Sequence, residues 1–246
     1  MELGIITEII KETDSNWRFV IENPLYEEIK YIPGQLIQIA IPDIDNPDEL
    51  VARNYSLSSW PNGTNKLEII VTYLKGGKMS EYLFKRAKVG DEIIYKGPMG
   101  IFTLPEKIDR DIYFVSTGSG ISPFRSMLNW ISENNIKTEH IKLFFGTRTF
   151  KDIPYYKELK ELEEKIDNFT YVPTLSREKW NGAQGYVHDH YLPLIDEHAL
   201  YEVNNAKLPR PLVYFCGWGG MISQGRFELA KREYQMQKDI KVEIFG

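Results

Sequence analysis

The chain has 246 residues, 42% of them hydrophobic and 26% charged, and a formal net charge of −5, the balance of an ordinary soluble globular protein with ample chain to bury a core. That acidic balance, with no long basic run to offset it, argues against a nucleic-acid partner. A single cysteine, Cys216, excludes an internal disulfide, a cysteine-ligated iron–sulfur cluster and a cysteine zinc site.

The amino-terminal stretch Met1–Ile6 has no basic region followed by an apolar one, and no apolar run approaches membrane-spanning length. No membrane insertion is expected, and the cytoplasm is the expected compartment. From Glu2 to about Pro105 the pattern is one of short strands. Ile5–Ile10, Trp17–Ile21, Leu36–Ile41, Val51–Ser59, Leu67–Tyr73 and Glu92–Tyr95 are rich in β-branched and aromatic residues and largely alternating. Six such strands with one helix, over Met79–Ala87, predict a small antiparallel β-barrel, because closure removes exposed edges.

The pattern changes near Lys107–Asp111. A buried strand, Ile112–Ser116, runs into Gly118-Ser119-Gly120 and then a helical stripe from Ser122 with Pro123 in its first turn. Strands at Ile141–Phe145, Phe169–Leu175, Leu212–Cys216 and Val242–Phe245 alternate with helical patterns around Tyr156–Leu162 and Ser223–Gln235. Strands alternating with helices predict a doubly wound parallel α/β sheet. The expected domains are therefore a barrel over residues 1–107 and an α/β domain over 108–246.

The richest stretch is Arg53-Asn54-Tyr55-Ser56, where alternation puts Arg53 and Tyr55 on one face of a strand. A guanidinium suits a phosphate, an aromatic ring suits a flat heterocycle, and a neighbouring hydroxyl can meet a ring heteroatom. A half-buried strand with a surface ion pair at Arg53 accounts for the same residues equally well. Ligands of open parallel sheets bind beyond the carboxyl ends of the strands. Gly118 and Gly120 there permit close backbone approach to a helix start that attracts a pyrophosphate. The form is G-x-G-x-x-P, and a plain tight turn also explains it. Arg148 and Arg177, at neighbouring strand ends, imply an anionic ligand unless they are solvated loop residues. Gly76-Gly77-Lys78-Met79-Ser80 before a helix offers backbone N–H groups and a hydroxyl to a second phosphate, or simply caps the helix.

Taken in order, Arg53-Asn54-Tyr55-Ser56, Gly77-Lys78-Met79-Ser80, Gly97-Pro98-Met99-Gly100, Thr117-Gly118-Ser119-Gly120-Ile121-Ser122-Pro123-Phe124-Arg125-Ser126, Ser176-Arg177-Glu178 and Cys216-Gly217 resemble the ferredoxin–NADP reductase superfamily over essentially the whole chain. The resemblance implies FAD and a nicotinamide nucleotide. Arg53 would hold the FAD pyrophosphate, with Asn54 beside it, Tyr55 would stack on the isoalloxazine, and Ser56 would bond near flavin N5. Gly77, Lys78, Met79 and Ser80 would complete the pyrophosphate site. In the turn formed by Thr117, Gly118, Ser119, Gly120 and Pro123, the residues Gly118 and Ser119 would face the nicotinamide nucleotide. Cys216, followed by Gly217, would lie beside the nicotinamide, Glu243 would act as a polar or proton-relay group, and Phe245 would cover the flavin. Ser176 and Arg177, with Arg148 nearby, match residues that bind the 2′-phosphate, and Tyr186 would stack on adenine. NADP(H) is therefore expected over NAD(H).

Two departures stand out. Gln184 occupies a position where some members carry lysine, and Gly246 follows Phe245. The implied activity is electron transfer between NADPH and a separate one-electron carrier, ferredoxin or flavodoxin. The alternatives are an NADH-dependent reductase component of a multicomponent oxygenase and a flavin-containing subunit of a larger complex. No metal site is expected: His188 and His190 read as surface histidines, and Trp180 and Trp218 as structural or rim residues. The cations Lys75, Lys78, Lys85, Arg86 and Lys88 form either a solvated face or a dock for an acidic carrier.

Overall fold

Burial decides which apolar runs pair and on which face. The computed structural model describes residues 1–43, 45–46, 48–204 and 209–245, the side chains of 201–204 and 245 excepted. Strands β1 (Glu2–Lys11), β2 (Asn16–Glu22), β3 (Leu36–Pro42), β4 (Leu50–Ser56), β5 (Lys66–Thr72) and β6 (Glu92–Met99) form an antiparallel sheet in the order β4-β3-β6-β1-β2-β5. Its two edge strands meet through a bridge between Leu57 and Ile69 and a hydrogen bond from Ser58 N–H to the Glu68 carbonyl at 2.8 Å. The sheet thus curls into the expected barrel, joined at its seam by these short contacts. Inward residues such as Phe19, Ile37, Ile39 and Ile69 are buried, and α1 (Lys78–Lys85) inserts Met79 and Leu83 into the same core. Burying Leu83 alone contributes roughly 1.5–3 kcal/mol.

The second sheet is parallel, in the order β10-β9-β8-β7-β11-β12, from β7 (Ile112–Thr117), β8 (Ile141–Thr147), β9 (Phe169–Leu175), β10 (Ala183–Gln184), β11 (Leu212–Trp218) and β12 (Ile240–Phe245). Its central strands are apolar on both faces, as burial on two sides demands. Alternate residues of β7 separate cleanly. Ile112 and Phe114 pack under α2 (Ser122–Glu133) and α3 (Tyr156–Lys165), where Phe114 stacks on Phe124 at 4.4 Å. Tyr113 and Val115 pack under α4 (His188–Asn204) and α5 (Gly219–Lys231).

Chain order reverses between β7 and β11, and open α/β sheets take their ligands beyond the carboxyl ends of the strands at such a switch point. The short edge strand β10 and the helix α4, which carries Pro193 in its interior, have no clear signal in the sequence. α5 begins at Gly219, before the expected Ser223. The two units share a packed boundary: Ile70 and Phe102 join the α2–α3 core, and the Tyr214 hydroxyl donates to the Thr103 carbonyl at 2.9 Å.

Candidate active site

The site is built where the barrel's edge strand meets the switch point of the parallel sheet. On β4, Arg53 and Tyr55 pair with Ile39 and Ile37, so both lie on the face that carries the barrel core. Tyr55 is half-buried against that core and burial pushes its hydroxyl pKa up, whereas Arg53 is exposed. The Arg53 guanidinium reaches only the Ala52 carbonyl, at 2.7 Å, and has no carboxylate partner among the described residues. A surface ion pair at Arg53 is therefore not what the strand builds. Asn54 faces the other way and accepts a hydrogen bond from Gln38 at 3.1 Å.

Ser56, at the end of β4, is buried, and its Oγ donates a hydrogen bond to Glu243 Oε1 of β12. Glu243 is the β-sheet partner of Cys216, whose Sγ lies 4.0 Å from the same oxygen. Three side chains from two units thus converge on one point. Burial raises the Glu243 carboxyl from 4.5 to about 6, and the Ser56 hydrogen bond works against that rise. Burial, followed by the charge on Glu243, pushes the Cys216 thiol well up, so it remains a neutral thiol rather than a nucleophile. Phe245 ends β12 opposite Trp218, and its side chain lies outside the described residues, as does Gly246.

The glycine turn before α2 is locked to β11. A Cβ on Gly120 would stand 2.3 Å from the Cys216 carbonyl oxygen, and one on Gly217, at φ +127°, would stand 2.5 Å from the Thr117 carbonyl oxygen. The Trp218 N–H donates to Thr117 Oγ1 at 3.1 Å. Gly118, at φ +57°, has open space in front of it, and the nearest atom to a Cβ there is Thr72 Oγ1 of the barrel at 3.8 Å. The turn therefore faces the barrel. Ser119 is half-buried, Pro123 is buried at the helix start, and the first turn of α2 carries no side-chain cap.

At α1 the structure redistributes the expected roles. Ser80 donates its hydroxyl to the carbonyls of Leu74 and Gly77, at 2.9 and 3.1 Å, which braces the turn instead of leaving that proton for a phosphate. Met79 is a core residue. Lys78 pairs with Asp43 at 2.5 Å and Asp45 at 3.2 Å. The N–H groups that follow Gly77 carry no side-chain cap, which leaves them open to an anion. With Lys78 so engaged and Lys85 paired to Glu81, the expected basic cluster reduces to Lys75, Arg86 and Lys88.

At the far end of the sheet, Arg148, Ser176 and Arg177 stand exposed on adjacent strand ends, tied by Arg177 N–H to the Arg148 carbonyl at 3.0 Å. Neither guanidinium has a carboxylate partner among the described residues. The Ser176 hydroxyl donates to the Thr147 carbonyl at 3.2 Å, and Tyr186 is 70% exposed beside them. Trp180 packs on the core with its N–H on the Ala183 carbonyl, and Trp218 is exposed at the rim. One expectation fails: His188 is buried, with Nδ1 2.9 Å from the Tyr191 hydroxyl, because the unread helix α4 turns it inward. Among the described residues no group of three or more His, Cys, Asp or Glu could hold a metal ion. No helix among them is long and apolar enough to cross a membrane.

The Oxidoreductase FAD-binding domain family matches residues 4–104 and the Oxidoreductase NAD-binding domain family matches 114–226. Ferredoxin--NADP reductase B of Sorangium cellulosum is 36% identical over 215 residues, spanning 86% of this chain and 84% of that one. The chain belongs to the ferredoxin–NADP reductase superfamily. Another relative, the anthranilate 1,2-dioxygenase electron transfer component of Acinetobacter baylyi, is 33% identical over 198 residues, 80% of this chain and 53% of that one. The chain spans about half the length of several of the curated relatives it matches. The fold of the superfamily is also that of the ferredoxin-NADP+ reductase of Plasmodium falciparum, with a TM-score of 0.78 at 23% identity, covering 99% of this chain and 95% of that one.

The residues present fit the cofactors of the superfamily. Exposed Arg53, Arg148 and Arg177 have no carboxylate partners among the described residues, and free guanidinium groups are donors suited to phosphates. Gly118 leaves open a space between the turn and the barrel that most side chains would fill. Sequence reasoning passed over Glu68 and the interior role of Arg125, because a buried pair between distant segments leaves no local pattern.

Proposed function

We propose that the chain takes electrons from a nicotinamide nucleotide, NADP(H) in preference to NAD(H), and passes them through FAD to a separate carrier, ferredoxin or flavodoxin. Residues 1–107 form the FAD unit and 108–246 the nicotinamide unit. The observation that carries this reading is the meeting of Ser56 from one unit with Glu243 and Cys216 from the other, beside a glycine turn that faces the barrel. When bound, FAD accepts two electrons as hydride and releases them singly.

The protein's part is binding, orientation and polarity. Arg53 and the N–H groups at the start of α1 hold the FAD pyrophosphate, and Tyr55 lies against the ring system. Ser56 Oγ serves the edge of the ring near N5. Glu243, poised near pH 6, holds or releases a proton toward Ser56 Oγ. Thr117 and Gly120 fix the turn so that Gly118, Ser119 and the start of α2 receive the nicotinamide nucleotide's phosphates. Neutral Cys216, with Gly217 behind it, gives the nicotinamide an apolar wall, and Phe245 keeps its assignment to the flavin face from its place in the sequence. Arg148, Ser176 and Arg177 bind the 2′-phosphate that distinguishes NADP, with Tyr186 flanking the adenine.

A second reading, the NADH-dependent reductase component of an oxygenase, is favoured by the likeness to the Acinetobacter electron transfer component. Anaerobic titration of the purified protein with NADPH and with NADH separates the two. Bleaching of the flavin band by NADPH at the lower concentration supports the first reading. Bleaching by NADH alone moves the assignment to the second, and a colourless protein overturns both.

A further inference from the structure

The helix that starts at the glycine turn carries, one turn in, a buried arginine that the hydride-transfer reading leaves unused. Arg125 Nη1 donates to the Ser58 carbonyl at 2.9 Å and to Glu68 Oε1 at 2.7 Å, both in the barrel unit. Its Nε donates to both oxygens of Glu158 on α3, at 2.8 and 3.0 Å, within the α/β unit. The Tyr155 ring lies 4.4 Å from the guanidinium carbon, and the Tyr155 hydroxyl donates to the same Glu68 oxygen at 3.2 Å. Glu68 is further held by Arg18 at 3.0 Å. A planar fork of donors, filled on two edges and stacked on an aromatic face, has little freedom to shift.

What this fork connects is specific. Ser58 follows Ser56 by two residues, and Arg125 follows the Gly118–Ile121 turn on a continuous helical stretch. The guanidinium therefore ties the end of the flavin-side strand directly to the helix that carries the nicotinamide-side turn. We propose that Arg125, through Glu68 and the Ser58 carbonyl, is a positioning residue that sets the overlap of the flavin and nicotinamide rings. It is buried and bonded to protein groups, and acts through them. The inference rests on the reading of two stacked rings given above, and it assigns the setting of their overlap to a pair on the domain boundary. Ring overlap is steep in distance: a misplacement of about 1 Å costs on the order of 100-fold in rate.

The variants Arg125→Lys, Glu68→Gln and Glu158→Gln test it in the flavin-loaded protein. Each disturbs the charge balance around the guanidinium, but only the first two act on the link between the units. Two readouts are taken: the rate of anaerobic flavin reduction by NADPH, and the long-wavelength charge-transfer absorbance that overlapping rings give with NADP+. Arg125→Lys and Glu68→Gln are expected to slow reduction by roughly ten- to a hundredfold and to weaken the absorbance, with Glu158→Gln within about threefold of wild type. Thermal midpoints measured alongside show whether the rates follow the link or follow stability. Unchanged absorbance and rate in Glu68→Gln overturn the proposal. So does a Glu158→Gln variant that falls as far as Glu68→Gln at a matching loss of midpoint. Where only NADH bleaches the wild-type flavin, the same readouts are taken with NADH and NAD+; wild-type flavin that neither nucleotide bleaches overturns the underlying function, and the positioning role goes with it.

Discussion

Ser56 Oγ donates a hydrogen bond to Glu243 Oε1 across 187 residues of sequence, and the bond runs from the last residue of a barrel strand to the edge strand of the other sheet. It joins the barrel unit to the α/β unit through two side chains that can each carry a proton.

The Glu243 carboxyl makes stability depend on pH. Its folded-state pKa is raised from 4.5 to about 6, so the folded chain binds this proton more tightly than the unfolded chain does. That contribution is fully present below the unfolded value and is lost as pH rises through about 6, a loss of about 2 kcal/mol. Urea unfolding of wild type and Glu243→Gln at about pH 4 and about pH 7.5 isolates it: wild type should lose about 2 kcal/mol relative to the variant over that window.

Removing the Ser56 hydroxyl leaves a half-buried carboxylate short of its donor. Ser56→Ala should slow flavin reduction by about 10- to 100-fold, the size of a lost hydrogen bond to a charged group. Since Ser56 holds the Glu243 pKa down, the variant's pH–rate profile should shift upward. Rapid mixing with NADPH over a pH series measures both.

The exposed arginines at the far strand ends, Arg148 and Arg177, are the residues proposed to choose the nucleotide. Arg177→Ala should raise the KM for NADPH by roughly 10- to 100-fold, since a charge-assisted phosphate contact is lost, while leaving NADH turnover nearly unchanged. Steady-state kinetics with both nucleotides on one preparation is the measurement. Arg148→Ala is expected to act in the same direction.

Gly217 combines a left-handed backbone with a Cβ position 2.5 Å from the Thr117 carbonyl oxygen. Gly217→Ala should destabilise the fold by about 1–3 kcal/mol, lowering the thermal midpoint by several degrees. It should also displace the turn it holds, so nicotinamide affinity falls with stability. Calorimetry and nucleotide titration read the two effects.

The elements that were legible in the sequence are those whose signal is local. Alternating β-branched runs gave the barrel strands, apolar runs followed by glycine gave β7, β8 and β11, and Arg53-Asn54-Tyr55-Ser56 with Thr117-Gly118-Ser119-Gly120 stood out as the candidate binding stretches. Local signals also misled. Ser80 looked free for a phosphate but braces its own turn, and His188 looked exposed because α4, with an interior proline and no clean amphipathic stripe, was not read as a helix.

By itself the sequence determined two chemistries in order along the chain, a strand with a cation, a ring and a hydroxyl, and a glycine turn before a helix. Periodicity and turn residues act over a few positions, so a linear reading can find them. Only the tertiary structure decided that the glycine turn faces the barrel, that Glu243 reaches Ser56, and that Arg125 bonds Glu68 across the two units. Those relations come from burial between segments far apart in the chain, where packing and desolvation choose the partner and neighbouring residues carry no trace of the choice.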